Sequence, residues 1–232
     1  MTQGSNRWWG TRAERGDATR LEAFSDGVLA IAITLLILEV RVQQPPGEDL
    51  ATSLRHALPD IGAYAASFLQ IGIIWTNHHA LFRVVDRVDQ RLLLLNLLLL
   101  GSVSFLPLPT RLVAEHTAGA DARTAVLLYG ATLTTSALAY NLIWQHITRA
   151  GLLAAGVAPA FIRDVTIRYL LGLTAYAGAT LVALASPLAS IVLTVALALM
   201  FTFGPSPRAA LPPATEPEQH HPGQRRHPPP GP

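Results

Sequence analysis

The chain has 232 residues, of which half are hydrophobic and only 14% are charged, and its formal net charge is +2. A soluble domain carries about 25% charged residues, so this composition indicates an integral membrane protein. The chain contains no cysteine, which excludes disulfides, thiol catalysis and thiolate metal sites. Its arginines are scattered and form no basic stripe, so nothing in the composition points to nucleic-acid binding.

Six uncharged segments predict an all-α membrane protein. Residues 1–19 are polar, and no small-residue cleavage site follows the first apolar run, which favours a cytoplasmic N-terminal segment over a signal peptide. Residues 20–204 are predicted to form a transmembrane domain with spans at 22–40, 61–82, 92–113, 124–147, 168–186 and 188–204. The last two are separated at Ser186-Pro187, because proline interrupts a helix.

The arginine distribution predicts the orientation of these spans. With six spans and a cytoplasmic N-terminus, thirteen of the seventeen arginines fall on the cytoplasmic side. This is the positive-inside bias of a multi-pass protein with both termini in the cytoplasm, here of the plasma membrane of a bacterium.

The last segment, residues 205–232, is rich in proline and has almost no apolar residues. It cannot bury a core, so the sequence predicts a disordered tail. Its three histidines are interpreted as part of a solvated linker rather than as a metal site: His220, His221 and His227.

The first segment has a short apolar core between two carboxylates. Gly27 to Leu38 would cover roughly 18 Å as a helix, against about 30 Å for the hydrocarbon core. Asp26 and Glu39 would then lie at membrane depth, where carboxylates are costly and mark ion pathways.

The same segment carries one apolar stripe at helical spacing, formed by Phe24, Val28, Ile31, Leu35 and Leu38. Such a stripe can be a packing seam between helices. Between two acidic, hydrated ends it can also be a hydrophobic constriction in an ion path.

Three motifs resemble one known family. They are the Arg-x-x-x-Phe-Ser-Asp signature within "RLEAFSDGVLAIAITLLILE" (20–39), the Trp-x-x-His-His of "SFLQIGIIWTNHHALF" (67–82), and "LNLLLLGSVSFLPLPTRLV" (95–113). Their residues and order are similar to those of the endosomal/lysosomal potassium channel family (transmembrane protein 175), in its bacterial form with one repeat per chain.

That resemblance implies a homotetramer of six-helix chains in which the first helix of each chain lines a shared pore. It places the pore constriction at Ile31, Leu35 and Leu38, with Thr34 and Glu39 as polar pore-lining residues. Glu39 would form an acidic ring at the extracellular mouth. The implied activity is potassium-selective leak conduction, with potassium as the permeant ion, no cofactor, no metal site and no enzymatic reaction.

The resemblance also implies a polar network around the signature. Its expected members are Arg20, Phe24, Ser25, Asp26, His78, His79 and Asn96, with the histidines and Asn96 as partners of Asp26. Because adjacent residues on a helix point about 100° apart, the two histidines are poorly placed to bind one metal ion.

Two other interpretations compete with the channel. Asp26 and the histidines could serve as a proton relay in a proton-coupled transporter or proton leak. An intramembrane hydrolase would need a Ser-His-Asp or paired-carboxylate arrangement, and the sequence shows neither at a plausible spacing.

Overall fold

The computed structural model describes residues 15–203, and within this range every regular element is helical. The helices are α1 (Arg15–Leu35), continued by a 3-10 turn (Leu36–Glu39), α2 (Leu50–His56), α3 (Leu58–Phe82), α4 (Gln90–Ser104), α5 (Pro107–Glu115), α6 (Gly119–Arg149), α7 (Pro159–Val182) and α8 (Pro187–Phe203). The predicted tail at 205–232 and its three histidines lie outside the described residues, as do residues 1–14. Within the described residues α1 begins at Arg15, and the boundary at residue 19 between the N-terminal segment and the transmembrane domain stays a prediction.

Helix starts follow local signals in the sequence. Asp49 and Asp89 cap α2 and α4 by accepting hydrogen bonds from the backbone N–H groups of Thr52 and Leu92. Proline occupies the first position of α5, α7 and α8, where its missing N–H costs nothing.

Four helices are long and apolar enough to cross a membrane: Asp17–Glu39, Gln90–Glu115, Gly119–Arg149 and Pro159–Val182. A fifth span results if α2 and α3, which meet at 52°, are counted together. The remaining apolar helix, Pro187–Phe201, is shorter than a usual span. The described residues therefore contain four or five candidate spans, fewer than the six predicted.

The third predicted span, 92–113, falls within the candidate span Gln90–Glu115, although α4 ends at Ser104 and α5 begins at Pro107. The fifth was expected to begin at residue 168, but α7 begins at Pro159. The predicted start was wrong because Arg163 and Asp164 interrupt the run of apolar residues. A helix that extends beyond the membrane can nevertheless carry charged residues near its start.

The helices pack around α6, which contacts α4, α5, α7 and α8, while α1 packs against α3 and α4. The side chains that are almost fully buried include Leu29, Leu36, Ile71, Leu92, Leu99, Ile143, Trp144 and Ile147. At Gly130, α6 and α7 approach so closely that a Cβ atom would lie 2.5 Å from the Thr180 Oγ1. Small residues permit such close helix contacts inside a membrane.

Candidate functional site

The first helix has one buried face and one face that this chain leaves uncovered. Leu21, Ser25, Leu29 and Ala32 are buried on the side of α1 that packs against α3 and α4, and Leu36 is buried in the 3-10 turn, which packs against α3 and α5. On the opposite side the exposed fractions are 55% for Phe24, 61% for Ile31, 42% for Leu35 and 69% for Leu38.

The expected stripe therefore lies largely on the uncovered face, with one exception. Val28 is only partly buried and packs against the core of the chain. Ile37, which did not belong to the expected stripe, is 53% exposed. Four of the five stripe residues thus share a face that is available to another chain, to lipid or to water.

The helical geometry changes at the outer end of this face. The α-helix ends at Leu35, and Leu36–Glu39 form a 3-10 turn. A 3-10 helix has three residues per turn, so Leu35 and Leu38 lie above one another on the same side. Leu36, at the start of this turn, is fully buried and fixes its position.

Thr34 lies on the exposed face, between Ile31 and Leu35. Its hydroxyl donates a hydrogen bond of 2.9 Å to the carbonyl oxygen of Ile31. The hydroxyl proton is therefore directed to the backbone, which leaves oxygen lone pairs that can accept or coordinate.

Three buried polar residues connect α1, α3 and α4. The Asn96 Nδ2 donates to the Ser25 Oγ at 2.9 Å, and the Ser25 hydroxyl donates to the Leu21 carbonyl oxygen at 2.8 Å. The Asn96 Oδ1 lies 3.0 Å from the His78 Nε2, and the His78 ring stacks on Phe82 with 4.4 Å between centroids. Ser25, Asn96 and His78 are all completely buried.

This arrangement fixes the protonation pattern of His78. With the amide oriented so that Asn96 Oδ1 accepts, the His78 Nε2 carries the hydrogen. The other ring nitrogen, Nδ1, is buried without a hydrogen-bond partner in the part of the chain that the structure describes. The chain from Ser25 through Asn96 to His78 thus joins α1 to both neighbouring helices.

A second pair of contacts joins α1 to α3 alone. The His79 Nδ1 donates to the Glu22 carboxylate at 2.8 Å, and the Trp75 Nε1 donates to Asp26 at 3.0 Å. In each helix the two residues are four apart, so the contacts lie one turn apart along the helix pair.

These contacts correct the expected partners of Asp26. Its hydrogen bond goes to Trp75, whereas His78 and Asn96 bind Ser25 and each other, and His79 binds Glu22. Arg20 is exposed, and between residues 15 and 203 no hydrogen bond or ion pair of its side chain is found.

The outer end of α1 also differs from the expectation. Glu39 is not a free acidic group, because its carboxylate lies 3.9 Å from the Arg111 Nη1 and is only 22% exposed. Arg111 also faces Glu115 at 3.8 Å, and Arg41 donates to Glu115 at 3.3 Å. Two carboxylates and two guanidinium groups therefore balance one another at this end of the helix.

Sequence reasoning assigned no role to Glu22 or Arg111 and did not connect Trp75 with the signature. The spacing of the residues was a signal for one pair of contacts. Glu22 and Asp26 are four residues apart on α1, and Trp75 and His79 are also four residues apart on α3. For Arg111 the signal was a charge inside an otherwise apolar segment, which demands a partner at membrane depth.

Metal binding at these residues finds no support in the geometry. The two adjacent histidines bind partners on different helices, Asn96 on α4 and Glu22 on α1. Among the residues from 15 to 203, no three His, Asp or Glu side chains come together in a way that could hold a metal ion.

Comparison with known proteins identifies the relatives of this chain. The family described as endosomal/lysosomal potassium channel TMEM175 matches residues 20–107. A protein named potassium channel from Streptomyces collinus is 44% identical over 166 residues, which are 69% of this chain and 79% of that protein. A protein named potassium channel from Chamaesiphon minutus is 41% identical over 145 residues, or 61% of this chain and 71% of the relative.

More distant matches cover less than half of the chain. The chicken (Gallus gallus) protein named endosomal/lysosomal proton channel TMEM175 is 43% identical over 105 residues, which are 41% of this chain and 21% of that protein.

Solved structures extend the likeness to the whole fold. A crystal structure described as a lysosomal potassium-selective channel TMEM175 homolog from Chamaesiphon minutus superposes with a TM-score of 0.72 at 34% identity, over 81% of this chain and 97% of that one. A variant of the potassium channel MtTMEM175 shares the fold, with a TM-score of 0.56 at 21% identity over 85% of this chain and 94% of that one. The chain therefore belongs to the TMEM175 family of ion channels, as the sequence motifs predicted.

Proposed function

We propose that this protein is a potassium-selective, leak-type cation channel of the bacterial plasma membrane. The observation that carries the proposal is the uncovered apolar face of α1, where Ile31 and Leu38 are 61% and 69% exposed while the opposite face is buried. A single chain leaves this face open, and four copies around a central axis would close it into a pore. The names of the bacterial relatives support potassium as the permeant ion.

In this proposal each chain contributes six spans, with α2–α3, α4–α5 and the short α8 each counted as one, and both termini lie in the cytoplasm. Ile31, Leu35 and Leu38 form successive apolar rings, and Thr34 contributes a ring of hydroxyls. An ion that passes an apolar ring must lose water. Sodium, the smaller ion, holds its water more tightly than potassium, which favours potassium passage. The protein has no cofactor and no enzymatic reaction in this account.

A proton pathway is the second candidate, and two observations favour it. Vertebrate relatives that match 41% and 38% of the chain are named proton channels. Glu22 of α1 and His79 of α3 also form a half-buried pair, and both groups can exchange protons.

Ion flux in liposomes separates the two candidates. Vesicles that contain purified protein are loaded with potassium and diluted into sodium, and a pH-sensitive dye reports proton entry. A potassium channel lets potassium leave until the membrane potential stops the flux, so we expect acidification only after a protonophore is added. Sodium-loaded vesicles diluted into a solution of an impermeant cation should show no acidification under the same conditions.

Two results would contradict the proposal of a potassium-selective channel. Acidification without the protonophore would mean that the protein also conducts protons, as the second candidate requires, so that it is not selective for potassium. If no acidification follows the addition of the protonophore, in vesicles that still respond to valinomycin, the protein does not conduct potassium.

A further inference from the structure

A pocket outside the proposed pore opens where α4 begins and α6 ends. Its volume is about 370 Å³, and it is lined by Arg91, Leu95, Leu142, Gln145, His146, Arg149 and Ala150. This is the end of the helix bundle that the proposed orientation places at the cytoplasm.

The rim of this pocket carries two positive charges without acidic partners. The guanidinium groups of Arg91 and Arg149 are exposed, and no ion pair of either is found within the described range of the chain. The neighbouring carboxylate, Asp89, is already engaged, since it accepts hydrogen bonds from the Leu92 backbone N–H and from His146 at 2.8 Å. Arg87, on the same loop, is directed away to the carbonyl oxygen of Gly151 at 2.8 Å.

Asp89 contributes a negative charge beside the rim, but its hydrogen bonds direct that charge to the start of α4 and to His146. Burial raises the pKa of this carboxyl, but the hydrogen bonds from Leu92 and His146 outweigh burial and hold the pKa below its ordinary value of 3.8. Asp89 therefore stays an anion that is committed to its helix cap and to His146.

Below the rim the pocket becomes apolar. Leu95 lies one turn from Arg91 on α4, and Leu142 lies two turns from Arg149 on α6, so both leucines are nearer the centre of the bilayer. Both are partly buried. The pocket thus has positive charge at the level of the membrane surface and apolar walls deeper in the membrane, which is the polarity of an anionic phospholipid.

We infer that this pocket binds the headgroup of an anionic phospholipid, with the phosphate between Arg91 and Arg149 and an acyl chain along Leu95 and Leu142. Basic pockets between transmembrane helices on the cytoplasmic side are suited to such headgroups. The bound lipid lies against the turn of α4 that precedes Asn96, the residue that bonds Ser25 of the first helix. This site is independent of which ion the protein conducts.

Lipid binding to the purified protein tests the inference. The full chain is delipidated in a neutral detergent, titrated with dioleoyl phosphatidylglycerol or dioleoyl phosphatidylcholine, and examined by native mass spectrometry. We expect one preferred phosphatidylglycerol site per chain. Each arginine near the membrane surface contributes about fivefold to such binding, so Arg91→Gln/Arg149→Gln should weaken this site by about 25-fold.

Two further variants separate a built site from general charge. Arg83→Gln/Arg163→Gln removes the same charge from exposed positions at the same end of the bundle and should leave the preferred site intact. Leu142→Trp keeps both arginines but fills the pocket, and it should abolish the site.

The inference is overturned by any of three results. The charge-matched pair could weaken phosphatidylglycerol binding as much as the pocket pair, Leu142→Trp could bind normally, or the parent could bind both lipids equally. Thermal melting shows whether each variant is folded. Because Arg91→Gln/Arg149→Gln and Leu142→Trp disturb the pocket by different means, the comparison can be made with either one if the other does not fold.

Discussion

Ile31→Asn should let sodium pass and raise the rate of potassium flux. We expect the potassium-over-sodium permeability ratio to fall by at least about tenfold, which corresponds to about 1.4 kcal/mol. Ile31 is 61% exposed on the face of α1 that the chain leaves open, so the substitution changes the proposed pore surface and not the packing of the chain.

The size of this effect follows from the chemistry of the ring. Ile is stiff at χ1 in a helix, so four copies at one level would form a narrow apolar ring of fixed width. An ion receives no compensating oxygen from that ring. An asparagine at the same level offers carbonyl oxygens that replace lost water for either ion, which removes the penalty that separates them.

Reversal potentials under opposed potassium and sodium gradients measure the change, and Leu36→Asn is the matched control. Leu36 is fully buried on the opposite face, where an amide loses apolar contacts and gains no partner, at a cost of about 3–5 kcal/mol. It should lower the yield of folded protein while the folded fraction keeps its ion preference. If Ile31→Asn keeps the parent preference and Leu36→Asn abolishes it, the helix faces are assigned the wrong way round.

Asn96→Leu should be the most damaging single change among the polar contacts of α1. It leaves the His78 Nε2 without a partner in a completely buried position and removes the donor to the Ser25 Oγ, which keeps its own hydrogen bond to the Leu21 carbonyl oxygen. An unsatisfied buried group costs about 1–3 kcal/mol and a lost hydrogen bond about 1 kcal/mol, so we expect a loss of about 2–4 kcal/mol in the free energy of unfolding.

A double substitution and a matched control make this expectation specific. Adding His78→Phe to Asn96→Leu removes one unpaired group and should recover part of the loss. Asn77→Leu, the same change at a half-buried position of α3 for which no side-chain hydrogen bond is found between residues 15 and 203, should cost little. Thermal unfolding in detergent compares the variants. Equal losses at Asn96 and Asn77 would mean that the network does not stabilise the first helix.

The sequence was most informative about α1, because one face of that helix must be apolar whichever surface it contacts. Spacing alone could predict that Ile31, Leu35 and Leu38 share a side. It could not predict that the last of them lies in a 3-10 turn, since that change depends on how Leu36 is buried against neighbouring helices.

The polar partners were harder to predict, because they are set by the register between helices and not by position along one helix. Asp26 was expected to contact the histidines, but the register of α1 against α3 brings Trp75 to it. Glu39 was expected to face water as a free charge, but α5 carries Arg111 to it across 72 residues of sequence. Residue types indicated that partners were needed, and only the packing determined which ones were available.

The start of α7 is a helix boundary that the sequence did not predict correctly. Hydropathy placed the fifth span at residue 168 because Arg163 and Asp164 are charged, while Pro159 at the first helical position was the signal that applied. Helix boundaries near a membrane surface are set by backbone chemistry, which a hydropathy profile does not contain.

Single introduced cysteines show whether the uncovered face of α1 lines the ion path. The natural chain has no cysteine, so each introduced thiol is the only one present. Silver ions are close to potassium in size and react with thiols, and nitrate salts keep them in solution. The experiment compares potassium flux before and after silver in Ile31→Cys, Leu35→Cys, Leu29→Cys and Leu36→Cys, with the cysteine-free parent as the blank. We expect irreversible block at positions 31 and 35 and none at the buried positions 29 and 36, whereas block at 29 and 36 with 31 and 35 unaffected would mean that the uncovered face does not line the ion path.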